Sequence, residues 1–169
     1  MDVLLAMNLQ NSYFSPSGSI YMGEKAEILR VRLMGFLAEY SYKKIFFREV
    51  HAVDDDFFVN DKTHSIATSE DAKIFKDFNK HADIFFDKIR YSAFYKTDFD
   101  LFLKKNSIKS VGIIGVEIHT SILFTAEELR NRGYRVTIIE PCVMSRDDYL
   151  ADCAINLMKN SLGVMISNG

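Results

Sequence analysis

Five short apolar runs, separated by helical patterns and polar loops, constrain this chain more than any other feature of its sequence. Residues 2–7 read DVLLAM, 44–50 KIFFREV, 83–88 DIFFDK, 109–115 KSVGIIG and 134–140 YRVTIIE. After Asp2, the run VLLAM is unbroken by polar residues, which suits a strand buried on both faces. Between the runs lie helical patterns at 24–42, 69–79, 98–106, 117–132 and 147–160. The first of these carries Ile28, Val31, Met34 and Leu37 near helical spacing. Asp98 stands as a cap at the start of 98–106, Gly133 closes 117–132, and GVMIS (163–167) reads as a sixth strand. Strands alternating with helices predict an α/β fold: a three-layer α/β/α, Rossmann-like, mainly parallel sheet of about six strands. Residues 1–169 read as a single domain, with no repeat, low-complexity tract or linker. Residues 51–65 read as an excursion loop.

Composition narrows the class. Hydrophobic residues make up 48% of the chain and Pro occurs only twice, which favours a compact core over disorder. A formal charge of −2 offers no footprint for nucleic acid or an anionic membrane. No apolar run approaches the roughly 18 residues of a membrane helix. The opening MDVLLAMNLQ has an acidic second residue and no basic segment, which argues against a signal peptide. With only Cys142 and Cys153 present, the expectation is a cytoplasmic protein with reduced, buried and inert thiols.

In a parallel sheet of this kind, sites form beyond the carboxyl ends of the strands. Those ends carry NLQNSYF after the first run, REVH after the second, KIRYSAFYKTDFDLFL at the end of the third, and GVEIHTSILFTAEELRNRGYRV after the fourth. Together with RNRGYRVTIIEPCVMSRDDY, these segments resemble the isochorismatase-like cysteine hydrolases, the superfamily of nicotinamidases and N-carbamoylsarcosine amidohydrolases. The resemblance covers most of the chain. It implies attack on a small carbonyl compound, usually an amide, by a cysteine activated by an aspartate and a lysine. The lysine falls on Lys88. The aspartate, however, falls on Asn8, and the cysteine on Ser121.

These substitutions put the reaction in question. A serine hydroxyl is far less acidic than a thiol and needs a base to remove its proton, and the Asn8 amide cannot serve. With both anionic partners gone, Lys88 is expected to lose its charge by desolvation and to act as the base, with Asn8 as orienter. The expected activity is weak or altered hydrolysis of the C–N bond of a small amide. The alternative is a catalytically inactive homologue that binds a small amide or carboxylate.

The resemblance implies further residues. The oxyanion hole would use the amides of Glu117 and Ser121, with a cis peptide between Val116 and Glu117. Glu49 and His51 occupy the place of an Asp-x-His metal motif, with His64 as third ligand to zinc or iron. Tyr13 or Phe14, and Tyr91, would touch substrate. His119 reads as a satisfied histidine at the helix start. Homo-oligomerisation is also implied.

Overall fold

The computed structural model describes residues 1–58 and 62–168; positions 59–61 of the expected loop lie outside the described residues. Six parallel strands form one sheet: β1 (Val3–Met7), β2 (Lys43–Glu49), β3 (Ile84–Lys88), β4 (Ser110–Val116), β5 (Arg135–Met144) and β6 (Met165–Ser167). Their order is β3-β2-β1-β4-β5-β6. The chain winds outward from β1 in one direction and from β4 in the other, so the carboxyl ends of β1 and β4 flank the switch point where a crevice opens.

The continuous apolar strands are explained by what covers them. In β1, Val3, Leu5 and Met7 face a core that includes Ile113, Phe99 and Leu129. Leu4 and Ala6 face the opposite core, with Leu29, Leu33 and Phe78. The helices are α1 (Asn11–Phe14), α2 (Glu24–Glu39), α3 (Lys76–Asn79), α4 (Phe99–Lys105), α5 (Leu123–Asn131) and α6 (Asp148–Asn160).

Several local expectations are corrected. α2 buries Ala26, Leu29, Leu33 and Leu37, whereas Ile28 and Val31 are 42% and 65% exposed. The buried stripe keeps helical spacing but lies on a neighbouring face. The 69–79 pattern divides into a 3-10 turn, Glu70–Ala72, and the single-turn α3. Asp98 makes no side-chain cap bond; Thr97 Oγ1 accepts from Phe99 N instead, at 3.3 Å. At the start of α6, Asp147 caps by accepting from Leu150 N at 2.9 Å.

One glycine is fixed by the geometry of the switch point. Gly115 has φ +120°, and a Cβ there would lie 2.1 Å from the Met7 carbonyl oxygen. Backbone cannot yield as a flexible side chain would, and the conformation is hostile to L residues. Gly115→Ala is expected to cost about 2 kcal/mol or more in urea unfolding; an unchanged midpoint would show that β1 and β4 are free to move apart.

Candidate active site

The four strand ends converge on one buried carboxylate. Glu49, the last residue of β2, is 2% exposed, and Asn8, Lys88 and Ser121 are fully buried around it. Glu49 Oε2 accepts from Lys88 Nζ at 2.6 Å, Asn8 Nδ2 at 3.1 Å and Ser121 Oγ at 3.2 Å. Ser121 Oγ in turn accepts from Asn8 Nδ2 at 3.0 Å and Lys88 Nζ at 3.1 Å. Asn8, Lys88 and Ser121 are thus brought together as the sequence predicts, and Glu49 joins them.

This alters the electrostatics expected of Lys88, which has not lost its anionic partner. Its three ammonium donors match three acceptors, the third being the Arg90 carbonyl at 3.2 Å. Burial pulls the Lys88 pKa below its ordinary value, opposed by the charge and hydrogen bond of Glu49. Burial also opposes ionisation of Glu49. The Lys88 charge, with hydrogen bonds from His51, His64 and Lys88, outweighs it and holds the carboxyl well below its usual range.

Backbone contacts hold Glu49 in place. Gln10 Oε1 accepts from Glu49 N at 2.7 Å, while Gln10 Nε2 donates to Glu49 O at 2.8 Å and Ala72 O at 2.9 Å. Gln10 stood in NLQN with no assigned role. Its full burial as an amide just after a strand is explained by this clamp.

The other Glu49 oxygen faces the histidines. His51 Nε2 lies 3.0 Å and His64 Nε2 3.6 Å from Oε1, and one ligand atom from each of the three residues falls within 4.8 Å of the others. His64 Nδ1 lies 2.8 Å from the Lys62 carbonyl, a contact that orients the ring with Nε2 facing Glu49. His51 lies between two carboxylates, with Asp55 Oδ2 at 3.2 Å from Nδ1. A cation held by Glu49, His51 and His64 would take the inner nitrogen of His51, with Asp55 fixing the outer one. The donor set fits zinc or iron.

The turn after β4 departs from expectation. No cis peptide occurs among the described residues, so Val116–Glu117 is trans, and Glu117 adopts a left-handed conformation with φ +65°. This orientation lets Glu117 N donate to Met144 O at 2.9 Å. The Glu117 amide therefore completes the sheet and is not the oxyanion donor expected of it. A π-helical turn, Ile118–Ile122, follows and passes into α5. Ser145 Oγ accepts from Ile118 N at 2.8 Å and lies 3.1 Å from His119 Nδ1. His119 is satisfied there, as expected. The Glu117 carboxylate is bound by Arg146 Nε at 2.7 Å.

The aromatic residues divide. Phe14 packs against Phe75 and Phe78 in the core and does not line the site. Tyr13 is buried with its ring edge-on to His64. Tyr91 stacks on Phe124 and meets Phe57 edge-on, and Phe57 stacks on His51. Phe57, from the excursion loop, carried no motif that could have announced it. Cys142 is buried and its thiol is pushed up to about 11 by burial, whereas Cys153, expected to be buried, is exposed on α6.

A parallel sheet with Ser121 at the helix entrance after β4 and Lys88 at the end of β3 defines an α/β protein with its polar cluster at the carboxyl ends of the strands. The sequence matches the isochorismatase domain over residues 2–168, and the chain belongs to the isochorismatase family. The isochorismatase family protein YaaI of Bacillus subtilis is 33% identical over 81 residues, spanning 48% of this chain and 45% of the relative. The nicotinamidase/pyrazinamidase PncA of Bacillus subtilis superposes with a TM-score of 0.87 at 24% identity, covering 98% of each chain. N-carbamoylsarcosine amidase of Thermoplasma acidophilum gives 0.81 at 20% identity, covering 98% of this chain and 94% of that one. Among the described residues, no helix is long and apolar enough to cross a membrane.

Proposed function

We propose that the protein hydrolyses the C–N bond of a small amide, with Ser121 as nucleophile and Glu49 in the role of the carboxylate that Asn8 lacks. The observation that carries this is the single oxygen, Glu49 Oε2, which accepts from Asn8, Lys88 and Ser121 together. The family's carboxylate–lysine–nucleophile arrangement is thereby rebuilt around a residue from β2.

The chemistry follows from the donors and acceptors. Lys88 and Asn8 both donate to Ser121 Oγ, so the serine proton points to Glu49. As Oγ bonds to the substrate carbonyl carbon, that proton passes to Oε2, and Lys88 balances the charge developing beside it. Collapse of the tetrahedral species breaks the C–N bond, and the leaving nitrogen takes the proton back from Glu49. Water then cleaves the acyl-serine ester by the same proton route, releasing the acid. A metal held by Glu49, His51 and His64 would supply a Lewis acid beside the site. Tyr13, edge-on to His64, and Tyr91, which meets the Phe57 ring stacked on His51, would contact the substrate.

Serine is a poorer nucleophile than thiolate, and a carboxylate held at low pKa is a modest base, so turnover should be slow. The nicotinamidase and N-carbamoylsarcosine amidase neighbours supply the compounds to try. The expected result is slow product release from nicotinamide or a carbamoyl compound, lost in Ser121→Ala. Ligand-dependent thermal stabilisation without product from any small amide would instead make this chain a binding protein.

A further inference from the structure

We infer that Glu49 is shared between two sites, so that metal binding and the state of the Ser121–Lys88 cluster oppose each other. Its two oxygens have separate environments: Oε2 holds Lys88, Asn8 and Ser121, and Oε1 faces His51 and His64. Among the described residues, no second carboxylate lies within the hydrogen-bond set of Lys88, whose partners are Glu49, Ser121 and a backbone carbonyl. Lys88 at 2.6 Å draws on the negative charge that a metal would need from the same group. A divalent cation would draw on it from the other side.

Two positive centres on one carboxylate weaken each other through the field they share, in a buried setting where Coulomb interactions are only partly screened. Such linkage is reciprocal: what weakens the hold of Glu49 on Lys88 and Ser121 strengthens its hold on the metal, and the reverse. Gln10 fixes the Glu49 backbone through both its N–H and its C=O, so the carboxylate reaches both sets of partners from one backbone position. The metal-free protein therefore has the stronger carboxylate at Ser121, and metal loading weakens that carboxylate. The inference uses the same residue as the hydrolase reading but not its chemistry. Zinc affinity reads it whether or not any amide is turned over.

The test is calorimetric titration of Zn²⁺ into the full chain and a set of variants. Lys88→Met removes the competing cation and should tighten zinc binding by about tenfold or more. Asn8→Asp gives Lys88 a carboxylate of its own and should tighten binding in the same direction; it keeps the experiment decisive if Lys88→Met does not fold. Ser121→Ala removes a neutral donor from Oε2 without changing charge, and should tighten binding by about threefold. Lys73→Met, on the exposed Glu70 pair, should change nothing. Zinc affinity unaltered by Lys88→Met or Asn8→Asp would overturn the proposal, as would the absence of zinc binding in every protein. A gain in Lys88→Met with none in Ser121→Ala would also overturn it, because that pattern is a long-range charge effect and not a shared ligand.

Discussion

Replacing Ser121 by Cys is expected to raise amide hydrolysis by about two orders of magnitude or more, and the Asn8→Asp, Ser121→Cys double variant to exceed it. The order of the single variants carries the information. Ser121→Cys places a readily ionised thiol beside Lys88 and a carboxylate that is already present, so it should capture much of the gain. Asn8→Asp alone leaves a serine nucleophile and puts a second carboxylate against Glu49 Oε2, where Asn8 Nδ2 now sits at 3.1 Å. Like charges at that distance raise one of the two pKa values, so the single Asn8→Asp change should gain little. Steady-state kinetics on a panel of small amides checks this. If Ser121→Cys gains nothing until Asn8→Asp is added, Glu49 does not act as the carboxylate of the site.

Removing that carboxylate should have the largest effect on stability. Glu49→Gln keeps shape and hydrogen bonding but leaves a fully buried ammonium uncompensated. Breaking one side of a buried ion pair costs about 3–5 kcal/mol, which corresponds to roughly 10 °C in Tm for a chain of this size. Lys88→Met in the same background should recover most of the loss, since replacing both members of a buried pair is often close to neutral. Urea unfolding of wild type, both single variants and the double variant measures the coupling. Additive losses would mean that the 2.6 Å contact contributes little to folding.

Much of this was legible in the sequence, and the reasons differ by element. Strands buried on both faces declare themselves by unbroken apolar runs, as VLLAM did. The convergence of Asn8, Lys88 and Ser121 followed from placing motifs at strand ends. The function of Glu49 was not legible, because position along a chain does not say which way each oxygen of a carboxylate turns. A signal was nonetheless present: Asn8 had lost a carboxylate while Glu49 carried one on a longer arm than the aspartate of the family motif. The burial face of α2 was misread because Ile28 and Val31 are apolar yet exposed. The Val116–Glu117 turn was misjudged because Glu117 reaches the same reversal through a left-handed backbone tied to Met144.

The contacts that meet at Glu49 Oε2 have a consequence for how the chain reaches its native state. Their partners are separated along the chain by 39 residues to Lys88, 41 to Asn8 and 72 to Ser121. β2 and β3 must be aligned before the lysine meets its counter-ion, β1 must join before Asn8 does, and β4 must dock before the serine arrives. Contacts of this span form late, after the cost of closing long loops has been met. An intermediate that buries β3 early would trap an unpaired ammonium in its interior, so docking of β2 beside β3 should accompany burial of Lys88. The polar cluster therefore acts as a checkpoint on strand order during assembly, favouring compact states in which neighbouring strands have found their correct partners.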